Sequence, residues 1–285
     1  MKLEEVLKKN SEKVKIAGKE VKILAVNKEL ELAEQFNVGP RAIQIKSLEL
    51  DILPARYLRN YGTTGISGQL KLLKAKVGIV GAGGLGGFLI ELLTRMGVGE
   101  LVVLDKDIFE DNNLNRQIFS RENNLGRSKV GAAAQRVKTV NSGVLFSGVK
   151  VELREKNGID FFAGCEVVCD ALDNLSSRLL LQEISRKLKI PMVHGAIGGY
   201  CGQVMTIFPG DRGLEEIYPI HQEKIPDKFS EEELGNPSAT PAMVAAWQAQ
   251  EVVKIILGEG ELIRNRMLFF DARLGLVEMI RFDGT

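Results

Sequence analysis

The chain has 285 residues, 45% of them hydrophobic, and a formal net charge of +1. This length and hydrophobic content are enough for one large α/β domain or two small ones with a buried core. The near-neutral charge argues against broad nucleic-acid or membrane binding, and no apolar run reaches the roughly 18 residues that a transmembrane helix needs. Met1–Asn10 is rich in charged residues and unlike a signal peptide, so we expect a cytoplasmic protein whose partners are small molecules or proteins.

Residues 1–53 are expected to form a small helical N-terminal extension. Two short helices around a turn are predicted between Leu30 and Ile45, in a pattern that resembles a helix-turn-helix. The second helix is crowded with apolar residues such as Ile43 and Leu48, which favour burial over contact with DNA. We therefore expect these helices to pack against the main domain.

Predicted strands and helices alternate from Val77 to Ala196. Apolar runs predict strands at Val77–Val80, Leu101–Leu104, Val167–Ala171 and Met192–Val193, separated by helical segments at Phe88–Met96, Ser128–Val140 and Ser176–Lys189. This alternation is typical of an α/β fold with a Rossmann-like, doubly wound, mostly parallel sheet.

The pattern changes after Gly195. A strand is predicted at Gln203–Phe208, a helix at Pro241–Leu257, and a closing pair of antiparallel strands at Met267–Asp271 and Gly275–Arg281. The segment 209–241 is rich in Pro, Glu, Gly and Asn and is too long for an ordinary connection. We expect it to be a crossover loop that passes the functional edge of the sheet.

The segment Gly81–Gly87 joins the first of these strands to the following helix. A turn without side chains lets backbone N–H groups approach an anion, and the positive end of the helix dipole favours negative charge. Gly81, Gly83 and Gly86 match G-x-G-x-x-G, and Asp105 ends the next strand at about the 20-residue spacing of a ribose-binding acid in dinucleotide folds. These residues alone are compatible with an NAD enzyme.

Three polar blocks lie beyond predicted strands or at helix starts, at the edge where such sheets bind ligands. They are Asp107–Gln117, Gly126–Val130 and Asp170–Asn174. Arg116 and Lys129 are placed to converge on a polyphosphate, which favours a nucleoside triphosphate over a dinucleotide. Asp173 is the natural magnesium ligand, because Mg²⁺ prefers one or two carboxylates together with phosphate oxygens. A helix cap explains Asp173-Asn174 equally well.

Five motifs follow one another along the chain: Arg56–Asn60, Gly81–Gly86, Asn113–Gln117, Gly126–Lys129 and Asp173-Asn174. In this order they resemble the ThiF/MoeB/HesA family of adenylating enzymes, relatives of ubiquitin-activating enzymes. The resemblance covers residues 54–285 and implies one adenylation domain. It implies Mg-ATP-dependent adenylation of the C-terminal glycine of a small ubiquitin-like (β-grasp) sulfur-carrier protein ending in Gly-Gly, for thiamine or molybdenum or tungsten cofactor biosynthesis.

The resemblance also implies the roles of individual residues. The turn with Gly81, Gly83 and Gly84 would hold the nucleotide, and Asp105 the ribose. Asn113, Arg116 and Lys129 would contact the phosphates, Asp173 would bind magnesium, and Asn174 would order that loop. Arg59 would reach from one subunit into the triphosphate site of the other, so a homodimer is expected.

The chain departs from the family in its cysteines. Many relatives carry two C-x-x-C zinc pairs and a cysteine on the crossover loop that forms a thioester or persulfide. Here Cys165, Cys169 and Cys201 form no such pair, and none lies in that loop. We therefore expect no structural zinc, an enzyme that stops at adenylation, and a separate sulfur donor protein. Cys201 is the nearest candidate for a covalent step, but its strand position favours burial.

A C-terminal carboxylate is ionised near neutral pH, so the implied reaction needs no general base. His194 belongs to no motif and is expected to be structural or to line the pocket. Gly195–Tyr200 offers a low-bulk path for a glycine tail, although packing explains these glycines equally well. Two alternatives remain open, an NAD-binding oxidoreductase and a non-catalytic nucleotide-binding adaptor.

Overall fold

The computed structural model describes residues 2–16, 18–218 and 234–282. The N-terminal part contains helices α1 (Leu3–Asn10), α2 (Val26–Gln35) and α3 (Pro40–Glu49) and strands β1 (Glu12–Ile16), β2 (Lys19–Leu24) and β3 (Ile52–Pro54). The predicted helix pair is present as α2 and α3, and Ile43 and Leu48 are buried. The expected small helical extension also contains a sheet, because β1 and β2 form a hairpin around Gly18, whose φ is +81°, and β3 pairs with β2.

The main sheet follows helix α4 (Tyr61–Lys74). Its strands are β4 (Lys76–Val80), β5 (Glu100–Leu104), β6 (Leu145–Val149), β7 (Val167–Asp170), β8 (Met192–Gly198), β9 (Cys201–Ile207), β10 (Arg266–Asp271) and β11 (Leu276–Arg281). Their order is β11-β10-β9-β8-β7-β4-β5-β6. Strands β4 to β8 pair in parallel, whereas β9, β10 and β11 pair antiparallel. This confirms the predicted doubly wound sheet with C-terminal antiparallel strands.

Helices cover both faces of this sheet. They are α5 (Gly84–Met96), α6 (Lys129–Val140), α7 (Glu155–Phe162), α8 (Leu175–Leu188) and α9 (Ala239–Leu257). Alternate residues of a strand belong to different cores: Val77 and Ile79 pack with α5 and α9, whereas Val80 packs with α7 and α8. No helix of the described ranges is long and apolar enough to span a membrane.

The strand order reverses at β4, which has β5 on one side and β7 on the other. At such a switch point the loops that follow the strands diverge and leave a crevice at the carboxyl edge of the sheet. The predicted crossover loop 209–241 lies partly outside the described residues, which stop at 218 and resume at 234. After this gap, the carbonyl of Asn236 accepts a hydrogen bond from Nδ2 of Asn115 at 3.0 Å, so the returning chain contacts the segment after β5.

Candidate active site

The glycine turn between β4 and α5 packs directly on backbone. Gly81 has a φ of +100°, and a Cβ there would lie 2.3 Å from the carbonyl oxygen of Ala171, in the loop after β7. A Cβ on Gly86 would lie 1.9 Å from the carbonyl oxygen of Gly81. Both positions therefore require glycine. The N-terminus of α5 is held at the crevice, where its backbone N–H groups can bind an anion.

Side chains from the segment after β5 border the outer side of this turn. A Cβ on Gly83 would lie 3.7 Å from the amide of Gln117, and one on Gly84 would lie 3.3 Å from the side chain of Arg116. Gln117 is buried, and its Oε1 has no hydrogen-bond partner among the described residues. An unsatisfied buried oxygen beside an anion-binding turn is a group that a ligand donor can satisfy.

Asp105, at the end of β5, joins two loops. Its Oδ2 accepts a hydrogen bond from the backbone N–H of Ala82 at 2.6 Å, and its Oδ1 accepts one from the backbone N–H of Asp107 at 2.7 Å. Each carboxylate oxygen can accept a further hydrogen bond. The predicted ribose ligand therefore lies at the glycine turn and keeps the capacity to bind hydroxyl groups.

The two predicted phosphate-binding cations lie on the same edge. Nη1 of Arg116 donates to the carbonyl of Asn112 at 3.0 Å and to Oδ1 of Asn115 at 2.8 Å. Lys129 is the buried first residue of α6, and its Nζ lies 2.9 Å from Oδ2 of Asp107. Both cations are thus held by neighbours in the segment that follows β5, and Arg116 borders the glycine turn.

The remaining predicted polar ligands order the loops that carry them. Asn113 is buried, and its Oδ1 accepts from the backbone N–H of Glu110 at 3.1 Å. Asp173 is exposed, and its Oδ1 accepts from Nδ2 of Asn174 at 3.1 Å. Asn174 is the N-cap of α8, with Oδ1 accepting from the backbone N–H of Ser177 at 2.9 Å. Asn174 therefore caps the helix and also orders the Asp173 loop.

The Arg-Tyr-x-Arg motif divides into a structural half and an exposed half. Arg56 pairs with the buried Glu29 of α2 at 3.2 Å, and burial raises the pKa of the Glu29 carboxyl although this arginine opposes the shift. Tyr57 is buried and accepts from Nδ2 of Asn141 at 2.8 Å. Arg59 is exposed and makes no hydrogen bond or ion pair within the described ranges. Its guanidinium is therefore available to another molecule.

A cavity of about 540 Å³ lies beside the Asp173 loop. Its wall runs from Asp173 past Gly198 and Gly199, on the turn between β8 and β9, to Phe269 and Arg273 at β10. The glycines of the predicted low-bulk path Gly195–Tyr200 therefore have two different roles. The later glycines line the cavity, whereas a Cβ on Gly195 would lie 2.6 Å from a side chain of α9, so that glycine serves packing.

A buried hydrogen-bond chain adjoins the cavity. His194 is fully buried, with Nδ1 2.6 Å from Oδ2 of Asp170 and Nε2 3.3 Å from Nε2 of Gln203. Nε2 of Gln203 lies 2.9 Å from the hydroxyl of Tyr218, which also accepts from Arg178 at 3.2 Å. Burial lowers the pKa of His194, although the nearby carboxylate opposes this, so the imidazole is neutral.

Several of these residues belong to none of the sequence motifs. Arg178 could have been found from its position, five residues after Asp173 on a helix with a capping residue. Nη2 of Arg178 donates to the carbonyl of Leu172 at 2.5 Å and so braces the Asp173 loop. Gln203 and Tyr218 are distant in sequence from every motif, so no spacing pattern indicates them.

The cysteines differ in exposure. Cys165 and Cys169 are buried, and burial raises the pKa of Cys165 to about 12. Cys201 is half-buried in the cavity wall, and its pKa is raised by burial and by the carboxylate of Asp271. A raised pKa lowers the thiolate fraction at neutral pH and so disfavours covalent chemistry at this position.

These features define an α/β protein with an anion-binding glycine turn at the carboxyl edge of its sheet, beside the cavity that starts at the Asp173 loop. Residues 57–284 match the ThiF family, and the chain belongs to this family. This assignment places it among adenylyltransferases of the ubiquitin-activating type, and both the oxidoreductase and the adaptor alternatives are set aside.

Curated relatives agree with the family assignment. The chain is 39% identical over 210 residues to SAMP-activating enzyme E1 of Haloferax volcanii, covering 73% of this chain and 77% of that protein. It is 31% identical over 215 residues to the sulfur carrier protein ThiS adenylyltransferase of Bacillus subtilis, covering 73% of this chain and 62% of that protein. It is 32% identical over 255 residues to adenylyltransferase and sulfurtransferase MOCS3-1 of Zea mays, covering 88% of this chain but 54% of that protein. The chain thus spans about half the length of the MOCS3 relatives.

Solved structures show the same fold. Escherichia coli MccB crystallised with ATP superposes with a TM-score of 0.69 at 21% identity, covering 81% of this chain and 74% of that chain.

Proposed function

We propose that this protein uses Mg-ATP to adenylate the C-terminal glycine carboxylate of a small ubiquitin-like β-grasp sulfur-carrier protein ending in Gly-Gly, with release of pyrophosphate. The observation that carries the proposal is the cavity that runs from Asp173 to the outer antiparallel strands. Its wall is low in bulk at Gly198 and Gly199, as a tail without side chains requires. The carrier is one that supplies sulfur for thiamine, molybdenum or tungsten cofactor biosynthesis.

The residues at the glycine turn fit an adenine nucleotide. The turn offers backbone donors, and the orphaned Oε1 of Gln117 offers an acceptor beside it. Arg116 and Lys129 add positive charge, and a polyphosphate would compete with Asp107 for the lysine. Asp173 would hold Mg²⁺, which when bound neutralises charge on the phosphate oxygens.

The chemistry requires alignment more than proton transfer. A carboxylate oxygen of the tail forms a bond to the α-phosphorus as the bond to the bridging oxygen breaks, and pyrophosphate leaves with the electron pair. The attacking carboxylate is already ionised, so neutral, fully hydrogen-bonded His194 is not required as a base. The chain contributes orientation of the two reactants and a positive electrostatic potential.

We further propose that the enzyme is a homodimer and stops at adenylation. Arg59, exposed and without a partner in the described parts of its own chain, would act in the phosphate site of the second subunit. Cys201, with its raised pKa, would take no covalent role, and sulfur would come from a separate donor protein. Loss of thiocarboxylation with retained exchange in Cys201→Ser would contradict this.

The test is carrier-dependent exchange of pyrophosphate with ATP, using candidate proteins that end in Gly-Gly. Exchange should appear with a cognate carrier and disappear when its last glycine is deleted. Arg116→Ala should reduce exchange strongly, whereas Arg121→Ala, an exposed arginine of the same segment, should not. If none of the tested carriers supports exchange, the proposed substrate class is wrong.

Mixing two inactive variants tests the dimer. Arg59→Ala and Asp173→Ala each damage both sites of a homodimer. In a mixed dimer one site has both defects and the other has none, so exchange should partly return if Arg59 acts across the interface. No recovery after subunit exchange would place Arg59 outside the partner's site.

A further inference from the structure

Gln203 is the residue at which the buried hydrogen-bond chain meets the cavity. It lies on β9 and lines the cavity wall. Its Nε2 contacts two buried groups, Nε2 of His194 at 3.3 Å and the hydroxyl of Tyr218 at 2.9 Å. The orientation of its amide group determines whether the cavity faces a hydrogen-bond donor or an acceptor.

The buried end of the chain fixes that orientation. Asp170 is fully buried, and its Oδ1 accepts from the backbone N–H of Leu172 at 2.9 Å while its Oδ2 lies 2.6 Å from Nδ1 of His194. The same Oδ2 lies 3.8 Å from Nε of Arg178, so the carboxyl group faces a positive charge and acts as an acceptor, and Nδ1 carries the proton. Because burial lowers the pKa of this imidazole, the ring is neutral and its Nε2 is an acceptor. Gln203 must therefore donate to it.

The carbonyl half of the Gln203 amide is left for the cavity. Both amide hydrogens are used, one by His194 and one by the hydroxyl of Tyr218. Oε1 accepts no hydrogen bond from the described residues, and it is not fully buried. It is therefore accessible from the cavity. Gln203 thus presents an oxygen acceptor to the cavity in a fixed orientation.

We propose that Oε1 of Gln203 accepts a hydrogen bond from a backbone N–H of the carrier's glycine tail, and that Asp170 and His194 are positioning residues that hold the amide in this orientation. This inference rests on the proposed function, in which the tail occupies the cavity. A glycine tail has no side chains, so apart from its reacting carboxylate its only polar groups are backbone N–H and C=O. A fixed acceptor sets the register in which the tail enters.

Carriers that lack one backbone N–H test the contact directly. A carrier that supports exchange is made by semisynthesis with sarcosine (N-methylglycine) as the last or the penultimate residue. For the wild-type enzyme, one of these carriers should show a KM about ten-fold higher than the unmodified carrier, the usual scale for an acceptor left unsatisfied. For Gln203→Leu, the unmodified carrier should already show that rise, and methylation at the same position should add nothing.

The positioning role has its own test. In Asp170→Asn the new amide can donate to Nδ1 of His194, which moves the ring proton to Nε2 and turns the NH₂ group of Gln203 toward the cavity. The carrier KM should rise as in Gln203→Leu, and the double variant should show no further rise. Gln117→Leu makes the same change beside the glycine turn, and it should raise the KM for ATP while keeping the discrimination against sarcosine.

The outcomes separate this inference from the proposed function. If a carrier supports exchange but neither sarcosine tail is discriminated by the wild-type enzyme, or Gln203→Leu discriminates as the wild type does, the contact is wrong and the proposed function stands. If no Gly-Gly carrier supports exchange, the proposed function fails. Thermal unfolding identifies any variant that does not fold, and Gln203→Met then replaces Gln203→Leu in the same comparison.

Discussion

Replacing Gly86 by alanine should disturb the junction that shapes the nucleotide site. The new Cβ would stand 1.9 Å from the carbonyl oxygen of Gly81 and 2.7 Å from its carbonyl carbon. Neither atom belongs to a flexible side chain, and Gly81 is itself in close contact with Ala171. The start of α5 would have to move by about 1 Å or more to restore a normal contact distance.

The size of the effect follows from two opposing contributions. Overpacking against fixed neighbours costs about 1–3 kcal/mol, and alanine regains about 0.5–1 kcal/mol of helix propensity relative to glycine. Because the 1.9 Å approach is to backbone, the cost lies in the upper part of the overpacking range, and the expected net loss is about 1–2.5 kcal/mol of unfolding free energy, which lowers Tm by roughly 2–10 °C in a chain of this size. Because the same movement displaces the N–H groups of the turn, the KM for ATP should rise as well.

Calorimetry and the ATP dependence of exchange measure these two effects. Gly131→Ala is the matched control, since Gly131 is also the third residue of its helix, and its Cβ would have no neighbour closer than 3.6 Å. That variant should keep or raise Tm. A Gly86→Ala protein with the Tm and ATP dependence of the wild type would refute this explanation of the glycine.

Three further predictions concern buried ionisable side chains. Arg56→Met should cost about 3 kcal/mol or more in urea unfolding, because it leaves Glu29 buried without its cation; an unchanged midpoint would contradict this. Because burial lowers the pKa of His194, the unfolded chain binds a proton below pH 6.5 that the folded imidazole does not bind, so stability should fall as pH drops below 6.5, by at most about 1.4 kcal/mol per pH unit. In His194→Asn this contribution should be absent. If the unfolding free energies of the wild type and the variant change equally with pH below 6.5, this explanation is wrong. Lys129→Ala should lower the kcat of exchange by about 100-fold if the lysine contacts phosphates, whereas a small change would assign it to its ion pair with Asp107.

The sequence was most informative where buried strands alternate with amphipathic helices. The predicted strands and helices from Val77 to Lys189 are present, with ends shifted by a few residues. Strand β6 was missed because Leu145–Val149 contains Ser and Gly and lies at the exposed edge of the sheet, so it has no continuous apolar run. Helix α7, which comes after β6 in the chain, was also missed, because its eight residues are too few to show a clear helical period.

The candidate site was predictable to the extent that its residues are close in sequence to a strand end. Asp105 and Asp173 satisfy this condition, and the structure places both at the carboxyl edge. Gln203 and Tyr218 do not, since antiparallel pairing and the course of the loop bring them beside His194. Contacts of this kind depend on tertiary structure, and local patterns do not encode them.

The two backbone hydrogen bonds of Asp105 limit how nucleotide selectivity can be measured. Its two oxygens accept hydrogen bonds from the backbone N–H groups of Ala82 and Asp107, so any substitution alters the spacing between two loops as well as the proposed contact with the sugar. Mutagenesis at this position therefore reports a sum of both effects. Removing hydroxyl groups from the nucleotide instead, with 2′-deoxy-ATP and 3′-deoxy-ATP on the intact enzyme, isolates what the sugar itself contributes.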